Sequence, residues 1–132
     1  VLVMERKVIG TSKIVELSNG EKVEVKKLPL GEYAKLMFVL KKLPTNIMSE
    51  FLNIDTTDNE AAISAMFGIF GEAWGQILEI LSIGTGIDKE RLANDPAIGV
   101  DGGIELLIAV IEVNNLKEVI KKGKNLFKGA AI

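Results

Sequence analysis

The sequence predicts a mainly α fold of the α+β kind: an N-terminal β-hairpin followed by a compact bundle of about five helices. Three observations predict it. Ser18-Asn19-Gly20 lies between Ile14-Val15-Glu16-Leu17 and Val23-Glu24-Val25, and Asn-Gly supplies the positive φ angles that tight hairpin turns require. From Pro29 onward apolar residues recur at helical rather than alternating spacing. With 132 residues, 48% hydrophobic and 26% charged, the chain is long enough to bury a core and too apolar to remain disordered. A single domain is expected over 1–132: a β-hairpin arm 1–28, a helical body 29–122 and a flexible tail 123–132.

The second strand alternates, with Val23 and Val25 on one face and Lys22, Glu24 and Lys26 on the other, so one face is buried and one wet. Arg6 to Ile9 is a candidate third strand. Pro29 fixes φ ahead of a helix from about Gly31 to Lys42, on which Tyr33, Leu36, Met37 and Leu40 recur at helical spacing. Glu32 in its first turn and Lys41 and Lys42 in its last match the helix dipole, and Pro44 enforces the stop. A short helix with Ile47, Met48, Phe51 and Leu52 on one side follows.

The longest element is expected to begin at Thr57-Asp58-Asn59-Glu60, a capping box with Thr57 as cap and Glu60 reaching back. One continuous apolar stripe then runs through Ile63, Met66, Phe67, Phe70, Trp74, Ile77, Leu78 and Leu81. Ser64, Gly68, Gly71 and Gly75 form a second stripe of small residues. Each interior Gly costs about 1 kcal/mol against Ala, which close approach of another helix, internal or on a second copy, would offset. Gly84-Thr85-Gly86 ends this element, a short helical turn spans about Asp88 to Ala93, and Asp101 is placed to cap a helix that is apolar nearly all round. Asn115 with Glu118 can cap a final helix.

Composition removes whole classes of chemistry. There is no Cys and no His, so disulfides, Cys/His zinc sites, thiol nucleophiles and His relays are excluded. The glycine clusters 84–86 and 99–103 lack the Gly-Lys-Ser/Thr ending of a phosphate loop and read as loop punctuation. Asp55, Asp58 and Glu60 lack calcium-loop spacing and read as a solvated helix start. The basic stretch Lys117 to Lys128 holds one aromatic, Phe127, too little for a nucleic-acid surface. The run 61–83 is interrupted by Glu72, Gln76 and Glu79, so a buried helix is expected rather than a membrane span. Val1-Leu2-Val3-Met4 is too short for a signal peptide. No catalytic, cofactor-binding or metal-binding residue is expected, and neither nucleic acid nor membrane as partner.

Binding surfaces remain. Met37, Phe38, Met66, Phe67, Phe70 and Trp74 are either core or a docking face, because Met-rich helical surfaces suit adaptable recognition of apolar helices; Met37, Phe38, Met66, Phe70 and Trp74 are the candidates for partner binding. Ser64, Gly68, Gly71 and Gly75 are candidates for self-association. Residues 1–42 hold nine Lys/Arg and five Asp/Glu, residues 43–88 no base and seven acids, and residues 89–132 seven bases and six acids. That alternation suits oriented, head-to-tail contact between copies in a homo-oligomer, and equally describes a solvated acidic face.

The order Leu17-x-x-Gly20-x-x-Val23-x-Val25-x-x-Leu28-Pro29-Leu30-Gly31-Glu32-Tyr33, with the closing Val110-Ile111-Glu112-Val113-Asn114-Asn115-Leu116, resembles the tail assembly chaperones of long-tailed phages and prophages. The resemblance spans most of the chain and implies a non-catalytic helper in the host bacterial cytoplasm. Such proteins coat the tape measure protein before tail tube subunits polymerise around it. In many of them a programmed frameshift adds an extension that recruits the tail tube protein. The resemblance brings no functional residue motif. A structural tail or adaptor protein of the virion, or a small helical regulatory binding module, are the other classes open.

Overall fold

The computed structural model describes residues 12–54 and 58–122. The candidate third strand at Arg6 to Ile9, the Thr57 cap and the tail 123–132 lie outside the described residues. The fold is mainly α with a small sheet, as expected; among the described residues it is a two-stranded antiparallel hairpin followed by seven helices, where about five were expected.

Strands β1 (Ser12–Glu16) and β2 (Lys22–Lys26) pair with Val15 opposite Val23. Gly20 takes φ 88° in the turn, a conformation that Gly adopts without steric cost. The Asn19 side chain accepts a hydrogen bond from the Glu21 N–H at 2.9 Å. Val15, Leu17, Val23 and Val25 are buried while Lys22, Glu24 and Lys26 are exposed, so the alternation holds. The hairpin is no projecting arm: its apolar face belongs to the same core as the helices. Its tip is anchored too. The Ser18 backbone N–H and hydroxyl both donate to the Ala97 carbonyl, at 3.2 and 2.9 Å, and Arg91 bridges Glu21 and Asp95.

The helices are α1 (Leu30–Lys41), α2 (Thr45–Leu52), α3 (Asn59–Glu72), α4 (Trp74–Thr85), α5 (Lys89–Asn94) and α6 (Gly99–Val113); α7 covers 116–122. Helix α1 buries Leu36, Val39 and Leu40 against α4, and α6 buries an unbroken run from Leu106 to Ile111 beneath the hairpin. Helix α6 begins two residues before Asp101, which sits in its first turn rather than capping it. The cap of α3 is Asp58, whose carboxylate accepts from the Ala61 N–H at 3.2 Å.

The single long helix expected over 57–83 is instead two, meeting at 114°. The break is Ala73, at φ −130° and ψ 37°. No proline forces it. The bend turns Ile77, Ile80 and Leu81 of α4 into the core while α3 buries Ala62, Met66 and Ile69 against other neighbours. A straight helix could not bury both sets, and tertiary packing overrides local propensity. Gly71 and Gly75 flank the break with nothing within 4 Å of where a Cβ would stand, so neither serves a close helix approach within the chain. The glycine that does is Gly84, whose Cβ would lie 2.6 Å from a Val110 methyl at the α4–α6 crossing.

One buried polar side chain ties the two ends together. Asn114, 2% exposed, accepts from the Leu28 N–H at 2.9 Å and donates to the Val110 carbonyl at 3.1 Å. Its own carbonyl accepts from the Tyr33 hydroxyl at 2.8 Å.

Candidate partner-binding surface

The core claims part of the candidate docking face. Met66 is 0% exposed and packs inside, so it cannot meet a partner while the chain is folded. Met37 and Phe70 are half-buried against the core. Phe38 and Trp74 stand out in water, 61% and 43% exposed. The five residues therefore do not form one surface.

Phe38 lies on the side of α1 away from Leu36 and Leu40, outside the stripe that packs on α4. The Lys42 ammonium sits 4.4 Å from its ring centroid, an arrangement that is favourable by about 0.5–1 kcal/mol at exposed sites. Beside it an open groove of ≈ 490 Å³ runs between α1 and α4, lined by Ala34, Lys35, Phe38, Val39 and Lys42 on one wall and Glu79 and Ile83 on the other. Glu79 is 3.9 Å from Lys89 and Lys35 is 3.1 Å from Glu32.

The second exposed apolar feature is a ridge on α3, with Ile63 and Phe67 40% and 62% exposed. The sequence places both in the apolar stripe, weighs Phe67 between core and docking face, and does not mark Ile63 as a surface residue. The apolar arc of α3 spans roughly 160° at 100° per residue. The core takes the edge carrying Ala62, Met66 and Ile69, leaving Ile63 and Phe67 outside. Across the break, the Phe70 and Trp74 rings lie 6.0 Å apart at 44°.

The small-residue stripe is divided by the same bend, which sets Gly75 on a different axis from Ser64, Gly68 and Gly71. Ser64 and Gly68 line an open groove of ≈ 500 Å³ shared with Ser49, Glu50 and Asn53 of the α2 side. A Cβ on Gly68 would lie 3.5 Å from the Glu50 carboxylate. Gly71 and Gly75 are exposed.

A third cleft, ≈ 570 Å³, separates the hairpin tip from the start of α6 and is edged by Glu16, Asp101 and Glu105. Among the described residues no group of three His, Cys, Asp or Glu could hold a metal ion. The perturbed titrations are found elsewhere and have structural causes. The hydrogen bond from Arg91 holds Glu21 below its ordinary value. Asp95 is lowered first by the Ala97 backbone N–H and then by Arg91, and burial raises Tyr33. Among the described residues no single helix is long and apolar enough to cross a membrane.

Comparison with protein-family models, curated proteins and solved structures finds no match to this chain.

Proposed function

We propose that this chain is a non-catalytic tail assembly chaperone of a long-tailed phage or prophage. It binds apolar helical faces of the tape measure protein in the host cytoplasm and keeps them soluble until tail tube subunits replace it. The observation that carries this reading is the exposure of Phe38, Phe67 and Trp74 on a chain whose core is already filled by other side chains. Large aromatic groups held in water mark interaction surfaces, and Trp and other aromatics dominate binding energy where they are found at interfaces.

A second observation supports it. The two segments that carry the family resemblance, Leu17 to Tyr33 and Val110 to Leu116, meet in space through two hydrogen bonds, from the Leu28 N–H to the Asn114 side chain and from the Tyr33 hydroxyl to the Asn114 carbonyl. Their co-occurrence in one sequence thus has a common physical cause. Modest affinity per copy suits a helper that must be displaced, with many copies along one long partner supplying the hold. A frameshifted extension would bring the tube protein to the same complex.

The test is co-expression with a tape measure protein, sought among the genes that neighbour this one. Phe38→Ser and Trp74→Ser leave this chain's melting temperature near that of the wild type and abolish the partner's solubility. A tape measure protein that stays soluble without this chain removes the chaperone assignment. The chain found as a component of purified virions favours a structural tail or adaptor role instead.

A further inference from the structure

The polar contacts between elements are unevenly spread. The hairpin and the segment after it are bound to the helical body by directed bonds: Ser18 to the Ala97 carbonyl, Lys13 to Glu112, Glu21 to Arg91, and Leu28 and Tyr33 to Asn114. Helices α2 and α3 have no such tie. Among the described residues every hydrogen bond they make stays within 44–73, as when the Asn46 amide donates to the Glu72 carboxylate at 3.2 Å, and no ion pair joins them to the rest. Apolar packing alone seats them. Ile47 and Phe51 of α2 and Ala62, Met66 and Ile69 of α3 are buried in the common core, and the Phe70 ring lies 3.5 Å from where a Cβ on Gly103 of α6 would stand. Such contacts have no direction and scale with the area they cover, so releasing them strands no buried hydrogen-bonding group.

We infer that α2 and α3 open from the rest of the fold as one unit while the hairpin, α1, α4 and α6 stay folded. The unit is bounded by residues that already lie outside a regular helix. Leu43 and Pro44 separate α1 from α2, and Pro44 has no N–H to bond back to α1. At the other end Ala73 sits at φ −130° and ψ 37° and starts α4 without a side-chain cap. The pair can therefore leave without unwinding α1 or α4, and local opening often follows supersecondary units of this kind. The helix that leaves, α3, fills its place with apolar residues at i, i+4 and i+7: Ala62, Met66 and Ile69. The space it vacates is thus shaped for an apolar helix of another protein. That such a helix belongs to a partner being shielded rests on the function proposed above; the opening is a property of this chain alone and does not.

The experiment is amide hydrogen exchange of the whole chain at rising urea concentration. Detached from the core, helices of 8 and 14 residues do not persist in water, so the opening registers as exchange. Amides of α2 and α3 exchange roughly a hundredfold faster than those of Leu106 to Ile111 in α6 and share one opening free energy. They respond weakly to urea, because the opening exposes only part of the surface that unfolding does. Two variants separate this opening from global unfolding. Asn114→Ala and the milder Tyr33→Phe remove ties that lie wholly outside α2 and α3. Each speeds exchange in α6 by roughly fivefold or more and leaves exchange in α2 and α3 unchanged, since the open state keeps those ties. Equal protection and equal urea response across α2, α3 and α6 overturn the inference. Exchange in α2 and α3 that quickens in step with α6 in either variant overturns it as well. So do unrelated opening free energies for α2 and α3, which would mean that the two fray separately.

Discussion

Replacing Gly84 by Ala adds one methyl group and should destabilise the fold, whereas the same change at Gly71 should stabilise it. At Gly84 the new Cβ would lie 2.6 and 2.7 Å from the two Val110 methyls, where carbon atoms in comfortable contact sit about 3.5–4.0 Å apart. Rotating Val110 gives no relief, because both methyls face the site and a β-branched side chain in a helix has one strongly preferred rotamer. Helices α4 and α6 must therefore separate by roughly 1 Å, within a core that is otherwise close-packed. Overpacking of this kind costs about 1–3 kcal/mol, and the helix-propensity gain of at most about 1 kcal/mol offsets part of it. A net loss of about 1–2 kcal/mol is expected, which lowers the urea midpoint by roughly 0.5–1 M at an m-value near 2 kcal/mol/M.

Gly71 is the internal control. Nothing stands within 4 Å of its Cβ position, so Ala there should gain about 0.5–1 kcal/mol from reduced freedom of the unfolded chain. Adding Val110→Ala to Gly84→Ala removes the clash. The double variant should be more stable than the sum of the single effects predicts, by about 1 kcal/mol or more. Equilibrium urea unfolding followed by circular dichroism reads all four proteins. If Gly84→Ala is neutral or stabilising, or if the two sites add without coupling, the close α4–α6 crossing is wrong.

Asn114→Ala strands the half-buried Leu28 N–H and should cost about 1–3 kcal/mol in thermal or urea unfolding, while Tyr33→Phe removes one bond and should cost about 1 kcal/mol. Tyr33 is the chain's single tyrosine, so absorbance near 295 nm follows its ionisation alone and should place it above the ordinary phenol range in the folded state. Because that folded value is raised, its contribution to stability is complete below the unfolded phenol value and is lost as pH rises through the folded one. Glu21 and Asp95 are lowered on folding, so their contribution is present above the unfolded carboxylate values and is lost as pH falls through the folded ones. Arg91→Gln should therefore flatten the acid limb of stability against pH, and added salt should shrink the difference between the two proteins.

The hairpin was legible because its signals are local: an Asn-Gly turn and a second strand whose alternation matches the observed burial residue by residue, although Ile14 of the first strand stands 62% exposed. Phe38 was half legible. It falls outside the spacing of Tyr33, Leu36, Met37 and Leu40, which already puts it on the wet side of α1. The break at Ala73 was not legible, since alanine is the strongest helix former and neither proline nor a charge cluster marks the site. What decides it is the need of Ile77 and Met66 to reach different parts of one core. Gly84 was hidden for a related reason. Beside Gly86 it reads as part of a helix stop, and only the position of Val110, 26 residues later, gives it a packing role.

The candidate surface is a consequence of that bend. Along an unbroken helix, Ile63, Phe67, Phe70, Trp74, Ile77 and Leu81 would share one stripe, and whatever buried Ile77 would bury Phe67 with it. Turning the axis by 114° separates them: Ile77 and Leu81 go beneath the sheet and α6, Met66 follows the buried edge of α3, and Phe67 and Ile63 are left in water. The acids are distributed in the same way, since Glu50 and Glu60 accompany the exposed edge of α3 while α4 carries only Glu79. The bend thus produces an apolar ridge and its negative border together. On α1, Lys35 and Lys42 flank buried Val39 and line the groove together with Phe38, facing Glu79 and Ile83 of α4.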